Sequence, residues 1–117
     1  MKLSKSVILG IAIILIIALV AFVKYPKTHM YQPIDECINL CKKALEEGRD
    51  LSNGPCLSDN NPEWKIAGWV CDVAHWPREE VDNLMENQCN EWWKAYEEGR
   101  EINFVEVDPN CNFIRTG

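Results

Sequence analysis

The segment "WVCDVAHWP", residues 69–77, places Cys71, Asp72 and His75 within five positions, between Trp69 and Trp76. A cysteine nucleophile needs a free thiolate within hydrogen-bond reach of an imidazole, and a third group to orient the ring. The residues here read as a strand, in which Trp69, Cys71, Val73 and His75 share one face while Val70, Asp72, Ala74 and Trp76 share the other. Cys71 and His75 are then about 13 Å apart along the strand. Asp72 points away from both. The segment therefore reads as a disulfide-bearing strand ending in a half-buried histidine; no catalytic residue is assigned, and the chain is not read as an enzyme.

Three other groupings could carry chemistry. Cys37 and Cys41, four residues apart, would present two thiolates on one helix face to a soft metal or a redox partner, with His29 or His75 as a third ligand. No second cysteine pair at ligand spacing completes a tetrahedral set, so metal ligands and cofactors are assigned to none of these residues. Asp108, Asn110 and Asn112 in "DPNCN" match the first three ligand positions of a calcium loop, but Phe113 stands where that loop needs glycine. This segment and "DNNPE" at 59–63 are better read as turns. Five tryptophans, at 64, 69, 76, 92 and 93, are many for a chain of 117 residues. Trp69 and at least one of Trp92 and Trp93 are expected in the core. Trp64 and Trp76, at the two ends of the strand, are the candidate surface-binding pair.

These residues must be positioned by a small α+β domain. From Ile34 the apolar positions Ile34, Cys37, Ile38, Cys41 and Leu45 recur with helical period, and Gly48 is a helix stop. On a helix, Cβ atoms four positions apart are about 5–6 Å from one another, beyond the roughly 3.8 Å of a disulfide. Cys37 and Cys41 are thus expected to pair elsewhere. Loop signals surround Cys56, the strand follows, and residues 78–99 turn helical at least from Asn87, with Met85, Cys89, Trp92, Trp93 and Tyr96 as the apolar stripe and Gly99 as the stop. Residues 102–117 read as a hairpin about Asp108-Pro109-Asn110, with Phe104 and Glu106 on one face and Val105 and Val107 on the other. About two helices and a short antiparallel sheet result, stapled by bridges among Cys37, Cys41, Cys56, Cys71, Cys89 and Cys111.

The compartment follows from what precedes this domain. Val7 to Val23 is 17 residues without a charged or strongly polar side chain. It reads as a signal anchor or transmembrane helix over 1–24, followed by a stalk over 25–33 and the cysteine-rich domain over 34–117. An even set of six cysteines, all after residue 36, is the pattern of a disulfide framework in an oxidising compartment. The expected topology is single-pass in the cell membrane, N-terminus cytoplasmic and domain outside, the alternative being secretion after cleavage at Ala21. Lys2, Lys5, Lys24 and Lys27 lie before residue 30, so residues 30–117 hold all 18 acidic side chains against the remaining 8 of the 12 basic ones. That excess of negative charge excludes nucleic acid as a partner. The expected partners are the membrane, through the N-terminal helix, and an extracytoplasmic protein or glycan.

The segments "DLSNGPCLS", "WVCDVAH" with "PREEVDNLMENQC", and "FVEVDPNCNFI" combine cysteines with fixed turn residues. Over most of residues 37–114 the chain resembles a family of small cysteine-rich archaeal proteins, exported or membrane-anchored and of uncharacterised activity. The resemblance implies an N-terminal export signal or anchor and carries over no catalytic residue. The function expected is a binding or envelope-interaction module, with redox or metal handling through Cys37 and Cys41 as the alternative.

Overall fold

The computed structural model describes residues 4–24 and 31–117; side chains are described within that range except those of 20–24 and 31. Helix α1 spans Lys5–Lys24, α2 spans Tyr31–Glu46, and α3 spans Asn90–Glu98. Three strands, β1 Trp69–Val73, β2 Asn103–Val107 and β3 Phe113–Thr116, form one sheet in the order β1-β2-β3. Residues 25–30 of the expected stalk lie outside the described residues.

The expected transmembrane helix is corrected by the structure. Among the described residues no helix is long and apolar enough to cross a membrane. The apolar run of α1, Val7 to Val23, rises about 26 Å, short of a hydrocarbon core of about 30 Å.

The sheet is also corrected. β1 pairs with β2 in parallel, Cys71 opposite Val105 and Asp72 opposite Glu106, while only β2 and β3 are antiparallel. A parallel pair needs a long crossover, and residues 74–102 supply one that contains two 3-10 turns, Glu80–Asn83 and Met85–Asn87, before α3. The segment expected to be helical at least from Asn87 becomes α-helical at Asn90, its earlier part forms these short turns, and Met85 and Tyr96 of the expected stripe are exposed. The hairpin at Asp108 forms as expected, with a register irregularity between Glu106 and Val107.

α2 opens at Tyr31, three residues before Ile34, and buries Cys37, Leu40, Cys41 and Ala44 against one face of the sheet; Leu45 stays exposed. The opposing sheet residues are Cys71, Val73, Val105 and Val107, joined by Leu51, Leu57 and Cys111, with Trp64 and Trp69 packed at the margin. Gly48 and Gly99 follow their helices with positive φ, as helix-stop glycines do.

Three disulfides hold these pieces. Cys37–Cys71 ties α2 to β1, Cys41–Cys111 ties α2 to the hairpin, and Cys56–Cys89 ties the loop before β1 to the start of α3. Cys37 and Cys41 do not pair, as their spacing on one helix requires. The bridges span 34, 70 and 33 positions, and each reduces the entropy of the unfolded chain by closing a long loop.

Candidate functional site

The core face of the sheet is closed by α2, so any site on the sheet lies on its other face. Strand alternation puts Val70 and Asp72 of β1, and Phe104 and Glu106 of β2, on that side. The registers align three polar residues across the strands: Asp72 is opposite Glu106, and Glu106 is opposite Arg115 of β3. Trp92 from α3 covers part of this face, its ring edge-on to Phe104 with centroids 5.3 Å apart. Between them lies a cavity of about 160 Å³, lined among others by Asp72, Arg78, Cys89, Trp92, Glu106 and Arg115.

Its electrostatics follow from how two arginines are shared between two neighbouring carboxyls. Arg115 Nη2 donates to Glu106 Oε1 at 3.0 Å, and Arg78 Nη1 donates to Glu106 Oε2 at 3.3 Å. Both cations are thereby committed to Glu106, which is 6 % exposed. Asp72 is left beside a compensated carboxylate, with its Oδ1 buried and without a hydrogen-bond partner among the described residues. Burial, reinforced by the Glu106 charge and opposed by Arg78, pushes its pKa up to about 8. Asp72 is thus a neutral acid at pH 7.

Asp72 also sits against a disulfide. One carboxylate oxygen of Asp72 and the sulfurs of Cys56 and Cys89 all lie within 4.8 Å of one another. A metal-ion set made of these atoms is chemically poor, because sulfurs joined in a disulfide are not thiolates. Cys37 and Cys41 are likewise each bridged and fully buried, so the two free thiolates of a redox or metal-handling helix are absent from that face.

His75 finds a different acid from the one next to it in sequence. Its Nδ1 is 2.8 Å from Asp82 Oδ1 and 3.1 Å from Glu79 Oε2. Asp82 Oδ2 accepts the backbone N–H groups of His75 at 2.9 Å and Glu79 at 3.0 Å. Burial works against the charged form of Asp82, but these two N–H groups and the His75 ring outweigh it and hold the carboxyl below the usual range. Gly54 closes the arrangement: at φ +69° it has no side chain, and a Cβ there would stand 2.6 Å from Asp82 Oδ1 and 2.8 Å from the Val73 carbonyl oxygen. Cys71, Asp72 and His75 are therefore not brought together. Cys71 is bridged to Cys37, Asp72 faces the cavity, and His75 belongs to a structural cluster around Asp82.

The calcium-like fragments are turns. Asp108 Oδ1 accepts the N–H groups of Asn110 and Asn112, both at 2.9 Å, and its Oδ2 accepts Asn112 Nδ2 at 3.1 Å. Asp59 caps α3, accepting the Asn90 N–H at 2.6 Å.

The two tryptophans proposed for surface binding differ. Trp64 is half-buried at the core margin, and its Nε1 donates to the Trp69 carbonyl at 2.9 Å. Trp76 is 76 % exposed. It lines an open groove of about 420 Å³ together with Asp108, Phe113, Ile114 and Arg115. Arg115, with its guanidinium 5.3 Å from the Phe104 ring centroid, stands between this groove and the Asp72 cavity.

Sequence reasoning placed Asp72 and Glu106 each on the face opposite the apolar strand positions, but it did not bring them side by side. The signal was an acidic residue inside each strand pattern, which solvent exposure explains equally well. No protein-family model, no curated protein and no solved structure matches the chain.

Proposed function

We propose that this chain is a disulfide-stapled extracytoplasmic binding module that meets a basic partner protein through the Trp76 groove. The observation that carries the reading is Trp76 itself, an indole held out in solvent at the edge of a groove that also presents Phe113 and Arg115. Tryptophan and arginine dominate the energetics of protein interfaces, because a large apolar surface and a directional cation are placed together. A domain with ten more acidic than basic side chains over residues 30–117 steers toward a cationic surface. With three bridges and no free cysteine, the framework suits an oxidising compartment.

The test uses the full chain with lysine-rich peptides, with and without one aromatic residue, as probes and Trp fluorescence as the readout. Saturable, salt-sensitive binding that favours the aromatic peptide and weakens at least about tenfold in Trp76→Ala is expected, a loss of about 1.4 kcal/mol. Equal binding by Trp76→Ala would remove the groove as the interface. A preference for neutral oligosaccharides, abolished by the same substitution, would replace the protein partner with a glycan.

A further inference from the structure

We infer that Cys56–Cys89 is an exchangeable disulfide that accepts two electrons from an external dithiol, with Asp72 as the acid that protonates the departing Cys89 sulfur. The three bridges are unlike in their surroundings. Cys37 and Cys71 are both 0 % exposed, and Cys41 and Cys111 are 0 % and 5 % exposed. Both of those bridges lie inside the core cluster. Cys56 is only half-buried, whereas its partner Cys89 is buried and lines the Asp72 cavity. Cys56 is the one cysteine of the six that is not buried, so the Cys56 end is the side of attack in this proposal, and the leaving Cys89 sulfur lies beside the acid.

The local chemistry fits that direction of attack. The first N–H groups of α3, next to Cys89, are occupied by Asp59, which accepts from Asn90 at 2.6 Å and Glu91 at 3.4 Å. The helix start thus gives the Cys89 thiolate little help, and a proton must supply it instead. A carboxylate oxygen of Asp72 lies within 4.8 Å of both sulfurs, and its Oδ1 has no hydrogen-bond partner among the described residues. Rotation of the released Cys89 side chain, or one intervening water, closes that distance. Ser58 Oγ lies 3.5 Å from Cys56 Sγ and 3.8 Å from Cys89 Sγ, and it already accepts the Cys71 N–H at 2.9 Å, so its O–H is free to donate to sulfur. The charged groups facing Asp72 are Glu106 on β2, Arg115 on β3, and Arg78 and Asp82 on the crossover; Asp59 faces the Cys89 end. With its pKa pushed up to about 8, Asp72 is close to an ordinary thiol near 8.5, so proton transfer between them is nearly balanced.

The step is a two-electron exchange. A donor thiolate attacks Cys56 Sγ, the Cys56–Cys89 bond breaks, and the electron pair leaves on Cys89, which takes the Asp72 proton. The donor's second thiolate then attacks its own sulfur in the mixed disulfide, releasing Cys56 to take a proton from water. The dithiol leaves as a disulfide, and Asp72 regains its proton from solvent.

The experiment treats the oxidised full chain with graded dithiothreitol, quenches with an alkylating reagent, and maps the modified cysteines by mass spectrometry between pH 6 and pH 9. Cys56 and Cys89 are expected to be alkylated first while the other four remain bridged. In Asp72→Asn their reduction is expected to slow about tenfold at pH 6–7, a deficit that disappears as pH rises through about 8, where wild-type Asp72 loses its proton. Simultaneous opening of all three bridges, or opening of Cys56–Cys89 last, overturns the proposal without need of a variant. An Asp72→Asn rate that tracks wild type at every pH overturns the role of the acid. None of these outcomes depends on the Trp76 groove, so the binding reading stands or falls separately.

Discussion

At the scale of single residues, the chain sets two aspartates, Asp82 buried and Asp72 half-buried with its Oδ1 enclosed, in opposite electrostatic states. Asp82 is surrounded by donors and its carboxyl is held low; Asp72 is shielded beside Glu106 and its carboxyl is held high, at about 8 against an ordinary 3.8. The signs of their linkage to pH are correspondingly opposite. For Asp72 the native chain keeps a proton that the unfolded chain releases between about pH 4 and pH 8, so wild-type stability falls as pH rises through that window and levels off above it. The slope from this group is at most about 1.4 kcal/mol per pH unit. Asp72→Asn should remove it, leaving the variant more stable than wild type at pH 9, as urea midpoints at pH 5, 7 and 9 will show. For Asp82 the contribution is present above the unfolded pKa and is lost as pH falls through the lower folded value. Asp82→Ala should cost about 2–4 kcal/mol near neutral pH, since it strands the His75 and Glu79 N–H groups. Gly54→Ala should cost a comparable amount, at least about 2 kcal/mol, because positive φ and two sub-3 Å approaches coincide at one Cβ.

Elements were legible where one local signal controls them. Helical spacing and Gly48 marked α2 and its end, and the Asp108 turn marked the β2–β3 hairpin, where Asp108 Oδ1 accepts two backbone N–H groups. Strand direction was not legible. β1 lies parallel to β2 because the crossover, broken into 3-10 turns by Leu84 and Gln88 in extended conformation, returns the chain to the starting edge of the sheet. The apolar stripe assigned to residues 85–96 failed for the same reason: Met85 precedes α3 and shares no helical face with Trp92. Elements here depend on the bridges between them, and the loop lengths rank those bridges. Replacing Cys41 and Cys111 by alanine opens the longest loop, 70 positions, and should cost about 4 kcal/mol, more than the double replacement of Cys56 and Cys89 with its 33. Denaturant midpoints of the two double variants decide the order.

For the whole molecule, charge and surface shape act on different rates. An acidic field over residues 30–117 governs encounter with a basic partner and is screened by salt, whereas Trp76 governs how long the complex lasts. Raising ionic strength from about 0.05 M to 0.5 M should slow association about tenfold or more while leaving dissociation nearly constant. Trp76→Ala should do the reverse. Stopped-flow measurement of both rates with the lysine-rich aromatic peptide separates the two effects. From the residue string alone came whatever depends on period, composition and covalent reach: the α+β character, the helix stops, six cysteines in a disulfide framework, and the impossibility of joining Cys37 to Cys41 across a single helix turn. Only the tertiary structure decided which cysteines meet, which way β1 runs, and that Asp72 lies between a disulfide and Glu106, because these are contacts between residues 16 to 70 positions apart, set by how layers pack and not by any local preference.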